Sequence, residues 1–496
     1  CDGMCWSLLF VLLASLLGDA RLSSGAASAA AGNPRYVLCP HTRLPSVAVV
    51  AGQLRVFAAS VFGNEGRARD RFGRSNSALA LRAALLVDDA EAWKAELPTF
   101  GWHNPKAGHS GTVSYAKCMG STLPEGTIVG CRVGGNGGRK RVPLERNESD
   151  WWQFGGGRIV SFRNTELQQD FAHCVLGSET VRWRRTGPPA RLHVRLAFQF
   201  VEAEQLSVAL PLELCRVDEP VRLASFCSQP LYGLARMQRE LPWAVDDWLE
   251  YHLGYLGFEL GDIYDIDGSL EEALGRPRLE KWVKSGRLVY RPHFAANLSG
   301  SFEAISKEHP YCAETWAYAH CLTTHRALSR FVMLLHAPDE YVVSQRRPEE
   351  RGLLKVLLDY QRGMLPDEPV SLVRVSASSF ARGGPGGADD TRDLSARGGV
   401  VATSRLRGEL RYLHTPVLDP TSCISAGPHT CYSEAESEFP GLVLEIEPED
   451  LVVHHYVEML ARNVGRCKSQ HKWCDTPDFT ASHLVRWLRE RGQPGM

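Results

Sequence analysis

From Cys227 onward the chain alternates helix-length amphipathic segments with short apolar runs, a pattern that calls for a sheet covered by helices. Trp243 to Gly257 carries Trp248, Tyr251, His252 and Tyr255 at helical spacing. Asp246, Asp247 and Glu250 lie near its start, where negative charge suits the helix dipole, and Gly257 fits a stop. Phe258 to Tyr264 then reads as a buried strand. Thr315 to Arg330 reads as a second helix and Phe331 to Leu335 as a second strand. The spacing predicts an α/β class with a doubly wound, mixed or parallel sheet over residues 220–496, interrupted by a flexible Gly-, Asp- and Arg-rich loop at 381–399.

Residues 36–215 have a different texture, with short alternating runs punctuated by Gly and Pro. Arg55 to Phe62 ends at the turn signal Gly63-Asn64-Glu65-Gly66, and His193 to Val201 alternates polar with apolar residues. The expectation is a mainly β, sandwich-like N-terminal domain. Residues 1–35 hold an apolar run from Cys5 to Gly18 and a small-residue linker. That run fits a signal-peptide core or a truncated signal anchor contacting the membrane, and both stay open.

The net charge of -1 leaves no global basic field, which argues against nucleic acid as a partner and requires a local site for any charged ligand. Of fourteen cysteines, setting aside Cys1 and Cys5 leaves an even twelve, as an oxidising lumen would allow to pair. Connectivity is not readable, and a zinc site at Cys467, His471 and Cys474 is conceivable. Sequons at Asn147 and Asn297 fit a lumenal glycoprotein.

Ligands of open α/β sheets bind outside the carboxyl ends of the strands. Two acidic clusters close strands there: Asp262 to Ser269, containing Asp265 and Asp267, and His336-Ala337-Pro338-Asp339-Glu340-Tyr341. Carboxylate oxygens at such positions suit Mn²⁺ or Mg²⁺, which neutralises charge on a departing diphosphate. Without a ligand, the same clusters serve as turns or helix caps. Arg405, Arg407 and Arg411 either meet phosphate oxygens or form a solvated strand face.

Cys227-Ser228-Gln229-Pro230-Leu231-Tyr232-Gly233 followed by Trp248-Leu249-Glu250-Tyr251-His252 resembles the opening of glycosyltransferase family 92, in particular its plant β-1,4-galactan synthase branch. Ile263-Tyr264-Asp265, the helix with Cys321 and Arg326, the strand ending in Asp339-Glu340-Tyr341 and His455-Tyr456 follow in the family's order. The resemblance implies a GT-A-like fold and a Golgi or ER enzyme. It would transfer a sugar, galactose first, from a UDP-sugar to a glycan or polysaccharide acceptor, with inversion. It also implies a Mn²⁺ (or Mg²⁺) cofactor on Asp339 and His455, a nucleotide-sugar near Asp265, Asp267, Arg405 and Arg411, and Glu340 as the candidate catalytic residue. The chain departs from the pattern at Ala337, where the family has the first Asp of its metal motif, and at Glu314 and Ala319, where the plant branch has Gln and Asn. Ala337 keeps a second reading open, a catalytically impaired member that binds glycans or partners.

Overall fold

The structure is a computed structural model. It describes residues 35–39, 48–50, 54–64, 78–88, 93–96, 117–119, 123, 127–134, 157–163, 168–176, 190–199, 207–217, 222–326, 328–363, 370–382, 396–404, 406–423, 425–427, 429–432, 442–456, 476–477 and 480–490. The N-terminal segment 1–34, Asn147, Arg405 and the Cys467–His471–Cys474 group lie outside the described residues.

The architecture is mixed α/β. The first sheet draws on Arg35–Leu38 (β1), Ala48–Val50 (β2), Leu54–Asn64 (β3) and Ala78–Val87 (β4). Lys94–Glu96 (β5) and Lys117–Met119 (β6) form a separate ribbon. Ile128–Gly134 (β7), Gly157–Arg163 (β8), Gln168–Leu176 (β9), Arg191–Gln199 (β10) and Ser207–Val217 (β11) complete the sheet. Its order is β7-β10-β11-β1-β3-β4-β9-β8, with β2 on β3, and every ladder is antiparallel. In β10, Leu192, Val194, Leu196 and Phe198 are buried while Arg191 and His193 are exposed, the alternation read from the sequence. Among the described residues two facing sheets do not form. One ladder continues through eight strands, and its end strand β7 comes to lie beside β8 and β9, so a single curled sheet encloses the core. Cys39–Cys215 fastens β11 to the residue after β1.

The second sheet contains Arg222–Ser228 (β12), Leu260–Tyr264 (β13), Leu288–Arg291 (β14), Ser329–Leu335 (β15), Glu340–Val343 (β16), Val370–Ala381 (β17) and Leu406–Leu418 (β18). Ser425–Ala426 (β19) and Cys431–Tyr432 (β20) make a small hairpin. Leu442–Ile446 (β21), Val452–His455 (β22) and Thr476–Pro477 (β23) return to the main sheet. The order β14-β13-β12-β15-β18-β17-β22-β16 is parallel through β15 and mixed beyond it. All of β13 and nearly all of β15 are buried, as parallel strands covered on both faces require.

The two sheets share a core. Phe57, Trp93 and Phe171 of the first pack with Phe302, Trp316 and Leu322 beneath the second, where the helix Glu314–His325 lies against β3 and β4. The helix Ala244–Glu250 continues as a π turn over Tyr251–Tyr255 and ends at Gly257, whose φ of 83° is left-handed. Of the loop expected at 381–399, both ends are described. β17 ends at Ala381, and Arg397 is buried against Asp247 and Glu250, with the Gly398 N–H donating to Asp247 Oδ2 at 2.6 Å. Burial nevertheless pushes the Asp247 carboxyl up to about 7. Residues 383–395 lie outside the described residues.

Cys227–Cys321 joins β12 to the Glu314–His325 helix across 94 residues, and Cys423–Cys431 closes an eight-residue loop. Arg326, 1% exposed, donates from Nη2 to the Cys423 carbonyl at 2.9 Å and so holds that loop. Replacing Cys227 and Cys321 together by Ala should cost about 2–5 kcal/mol, because a long closure restricts the unfolded chain strongly. Urea unfolding of oxidised wild type and double variant measures it, and equal midpoints would refute it. No helix among the described residues is long and apolar enough to cross a membrane.

Candidate functional site

Strand order places the site. β12 pairs with β13 on one side and β15 on the other, so successive connections leave β12 in opposite directions. A crevice opens at the carboxyl ends of such neighbouring strands, where ligands of α/β sheets collect. Here those ends are Ser228-Gln229 and Leu335-His336, tied by the Gln229 N–H to the Leu335 carbonyl at 2.8 Å.

After Leu335 the chain turns through Ala337–Glu340, closed by the Glu340 N–H on the Ala337 carbonyl, and enters β16. Two side chains of the helical segment fix that strand. The Trp248 indole N–H donates to the Glu340 carbonyl at 2.9 Å, and the Tyr251 hydroxyl to the Val342 carbonyl at 2.7 Å. His252 Nδ1 bonds the Trp248 carbonyl, and burial pushes its ring down to about 4, so it stays neutral at neutral pH. The Trp-x-x-Tyr-His pattern thus acts as the clamp on the acidic strand.

Antiparallel pairing of β16 with β22 sets Glu340 opposite His455, while the Tyr456 N–H donates to the Asp339 carbonyl. His455 Nε2 and Asp339 Oδ2 come to 3.3 Å, with side chains 30% and 21% exposed. Two donors each about 2.1 Å from one divalent ion lie about 3 Å apart, so the pair fits a shared metal and leaves room for outside ligands. The described residues contain one group of three His, Cys, Asp or Glu donors within 4.8 Å of one another, namely Cys227, Cys321 and His325, whose two sulfurs are bonded together.

Glu340 has another task. It is 2% exposed, with Oε1 2.7 Å from His336 Nδ1 and Oε2 accepting the His336 backbone N–H at 2.9 Å. Burial raises its pKa, but the facing imidazole outweighs burial, with help from His455, and holds the carboxyl at about 2. Both of its oxygens are thus spent on orienting His336.

Asp265 is also committed. Fully buried, it accepts the N–H groups of Asp267 and Gly268 on Oδ1, and the Leu270 N–H and Tyr290 hydroxyl on Oδ2. Burial pushes it up to about 6 against those bonds. It builds the loop instead of contacting a ligand. Asp267 is exposed and ties that loop to the Gly233 N–H at 2.8 Å, beside Tyr232, which is 42% exposed. Burial raises its pKa, but the Gly233 and Ser269 donors outweigh it and hold the carboxyl below its usual range.

Arg411 lies in β18 opposite Ala377, which also pairs with Val453, so one strand, β17, separates Arg411 from the His455 strand. Asn297 is exposed at the end of the helix Phe294–Leu298, its Nδ2 donating to the Pro292 carbonyl. Three further residues join the cluster. Glu314, which accepts the Tyr318 hydroxyl, and Asp339 both favour the charged form of His336, and the His429 ring stands edge-on 5.6 Å from it. For His336 the available sequence signal was its i to i+4 spacing to Glu340 across a tight turn. Glu314 and His429 reach the site only through tertiary packing.

No protein-family model, curated protein or solved structure matches the chain, so the family resemblance rests on the motifs themselves.

Proposed function

We propose that this chain is a glycosyltransferase of the family 92 type, with a GT-A-like domain that transfers galactose from a UDP-sugar to a glycan acceptor with inversion. The observation that carries the reading is the Asp339–His455 pair at 3.3 Å, partly exposed at the carboxyl edge of a mixed sheet where strand order reverses. A divalent cation such as Mn²⁺ held there would offset the charge that develops on a leaving diphosphate. Asp339 and His455 hold it, Trp248 and Tyr251 fix the strand beneath them, and Glu340 orients His336 beside them. Asp267 and exposed Tyr232 form the rim at the neighbouring strand end, where a nucleotide base would lie. Disulfides Cys39–Cys215, Cys227–Cys321 and Cys423–Cys431 support a secretory-pathway location, Golgi or ER lumen, for this activity.

UDP release from UDP-galactose, with and without Mn²⁺ and across glycan acceptors, tests the proposal. Turnover that requires Mn²⁺ supports it, and binding of glycan without UDP release favours the second reading. That reading, a non-catalytic glycan- or partner-binding member, draws on Ala337, which gives the site one carboxylate fewer than the family pattern.

A further inference from the structure

His336 is held at two points by one carboxylate. Glu340 takes its Nδ1 at 2.7 Å and its backbone N–H at 2.9 Å, so the ring cannot turn without breaking the contact. The other ring nitrogen, Nε2, is buried and has no hydrogen-bond partner among the described residues, while the side chain as a whole keeps 19% of its surface exposed. A buried polar atom without a partner calls for an explanation, and an absent ligand atom is one. Burial lowers the affinity of the ring for a proton, but Glu340, then Glu314 and Asp339, outweigh it and bring the pKa to about 9. The Glu340 carboxylate on Nδ1 favours the doubly protonated ring, in which Nε2–H is a charged donor that can serve only an acceptor. Its neighbours are the Asp339–His455 pair and Ala337, whose side chain offers no carboxylate to repel an anion.

We propose that His336 is a phosphate-binding residue, its Nε2–H donating to a diphosphate oxygen of the nucleotide donor while Asp339 and His455 hold the cation on the same diphosphate. The inference rests on the nucleotide-sugar reading. It explains how a site short of one carboxylate keeps its grip on a nucleotide: part of the hold passes from the metal to a fixed cation.

Calorimetric titration of wild type, His336→Leu and His336→Gln tests it with three probes: UDP in saturating Mn²⁺, uridine, and Mn²⁺ alone. UDP affinity should fall about 10- to 100-fold in both variants, the range for a lost charge-assisted hydrogen bond, with uridine and Mn²⁺ binding unchanged. UDP affinity within about twofold of wild type would overturn the proposal. So would an equal loss for uridine, which marks general damage, or a loss for Mn²⁺ alone, which makes His336 a metal ligand. If the Leu variant fails to fold by circular dichroism, the Gln variant carries the reading. A wild-type protein that binds no UDP refutes the nucleotide-sugar reading itself, and this inference with it.

A second inference stands independently of the function. Cys131 on β7 and Cys174 on β9 are free and buried in the same core, where β7 lies beside β9. No ladder joins β7 to β9, so this contact lies on the seam of the curled sheet. We infer that in an oxidising compartment these two thiols form a disulfide across the seam. They lose two protons and two electrons to a disulfide oxidant such as oxidised glutathione, which is reduced to two thiols. The neighbouring Cys131 thiol, with burial, pushes the Cys174 thiol up, so little thiolate exists once the core has closed. The bond should therefore form during folding.

Non-reducing peptide mapping of protein folded with oxidised glutathione should find the Cys131–Cys174 cross-link alongside Cys39–Cys215. Folded, reduced protein given the same oxidant should form it at least tenfold more slowly. Alkylation of both thiols in molecules whose Cys39–Cys215 bond is intact would overturn the inference, and equal rates would overturn the claim that it forms during folding.

Discussion

Asp339→Asn and His455→Ala should each lower Mn²⁺-dependent UDP release by about 100-fold or more, leaving the melting temperature within a few degrees of wild type. Metal stabilisation of transition-state charge supplies several kcal/mol, and about 2.7 kcal/mol corresponds to 100-fold. Both side chains are partly exposed, so their truncation opens no core cavity, and the backbone bond from Tyr456 to the Asp339 carbonyl survives either change. The double variant should be little worse than each single one, since two ligands of one ion act as a unit. Independent, multiplicative losses would mean that the two residues serve different ligands. Ala337→Asp bears on the same site. A second carboxylate there should tighten Mn²⁺ binding in the absence of nucleotide, and unchanged affinity would count against aligning Ala337 with the metal motif.

Asp262→Asn should destabilise the protein by about 3–5 kcal/mol at neutral pH, because it leaves the Arg291 guanidinium buried without its counter-charge. Asp262 is 1% exposed in β13 and receives both Arg291 Nε at 2.6 Å and Nη2 at 2.8 Å, with His325 Nε2 at 3.7 Å. Burial raises the Asp262 pKa, but Arg291 and then His325 outweigh it and hold the carboxyl well below the usual carboxylate range. A depressed folded-state pKa contributes stability that is complete above the unfolded value near 4 and declines as pH falls toward the folded one. The gap between wild type and variant should therefore be largest near neutrality and narrow below about pH 4. Urea unfolding at pH 7 and pH 3.5 measures both points. A gap under about 1 kcal/mol at pH 7 would show that the pair is dispensable. Replacing both partners, Asp262→Leu with Arg291→Met, should recover much of the loss, since no charge is then left unpaired.

Local pattern carried much of the second sheet. The run Phe331–Leu335 lies within a strand because an unbroken apolar stretch of that length suits a strand covered on both faces, and Gly257 stops the helical segment where a left-handed residue is needed. The clamp residues Trp248 and Tyr251 were legible as a helical stripe, but their hydrogen bonds to β16 were not. Which strands make the mixed half, with β17 antiparallel to β18 and parallel to β22, was not legible, since alternation along a strand does not name its neighbours. The curled single sheet was missed for the same reason.

By itself the sequence determined which segments are strands and helices, which faces they bury, and that acidic residues close two strand ends. Periodicity and turn residues act over a few positions, and those positions are adjacent in the chain. Tertiary structure alone decided the chemistry each acid can perform. Pairing of β16 with β22 brought His455 to Asp339, the turn after β15 gave Glu340 to His336, and the loop after β13 consumed Asp265 in its own backbone. Three acids at strand ends thus became the partner of a partly exposed histidine, an orienting group and a loop brace. The reason is that a carboxylate's role depends on which donors reach its oxygens, and those donors arrive from elements that only the folded chain brings together.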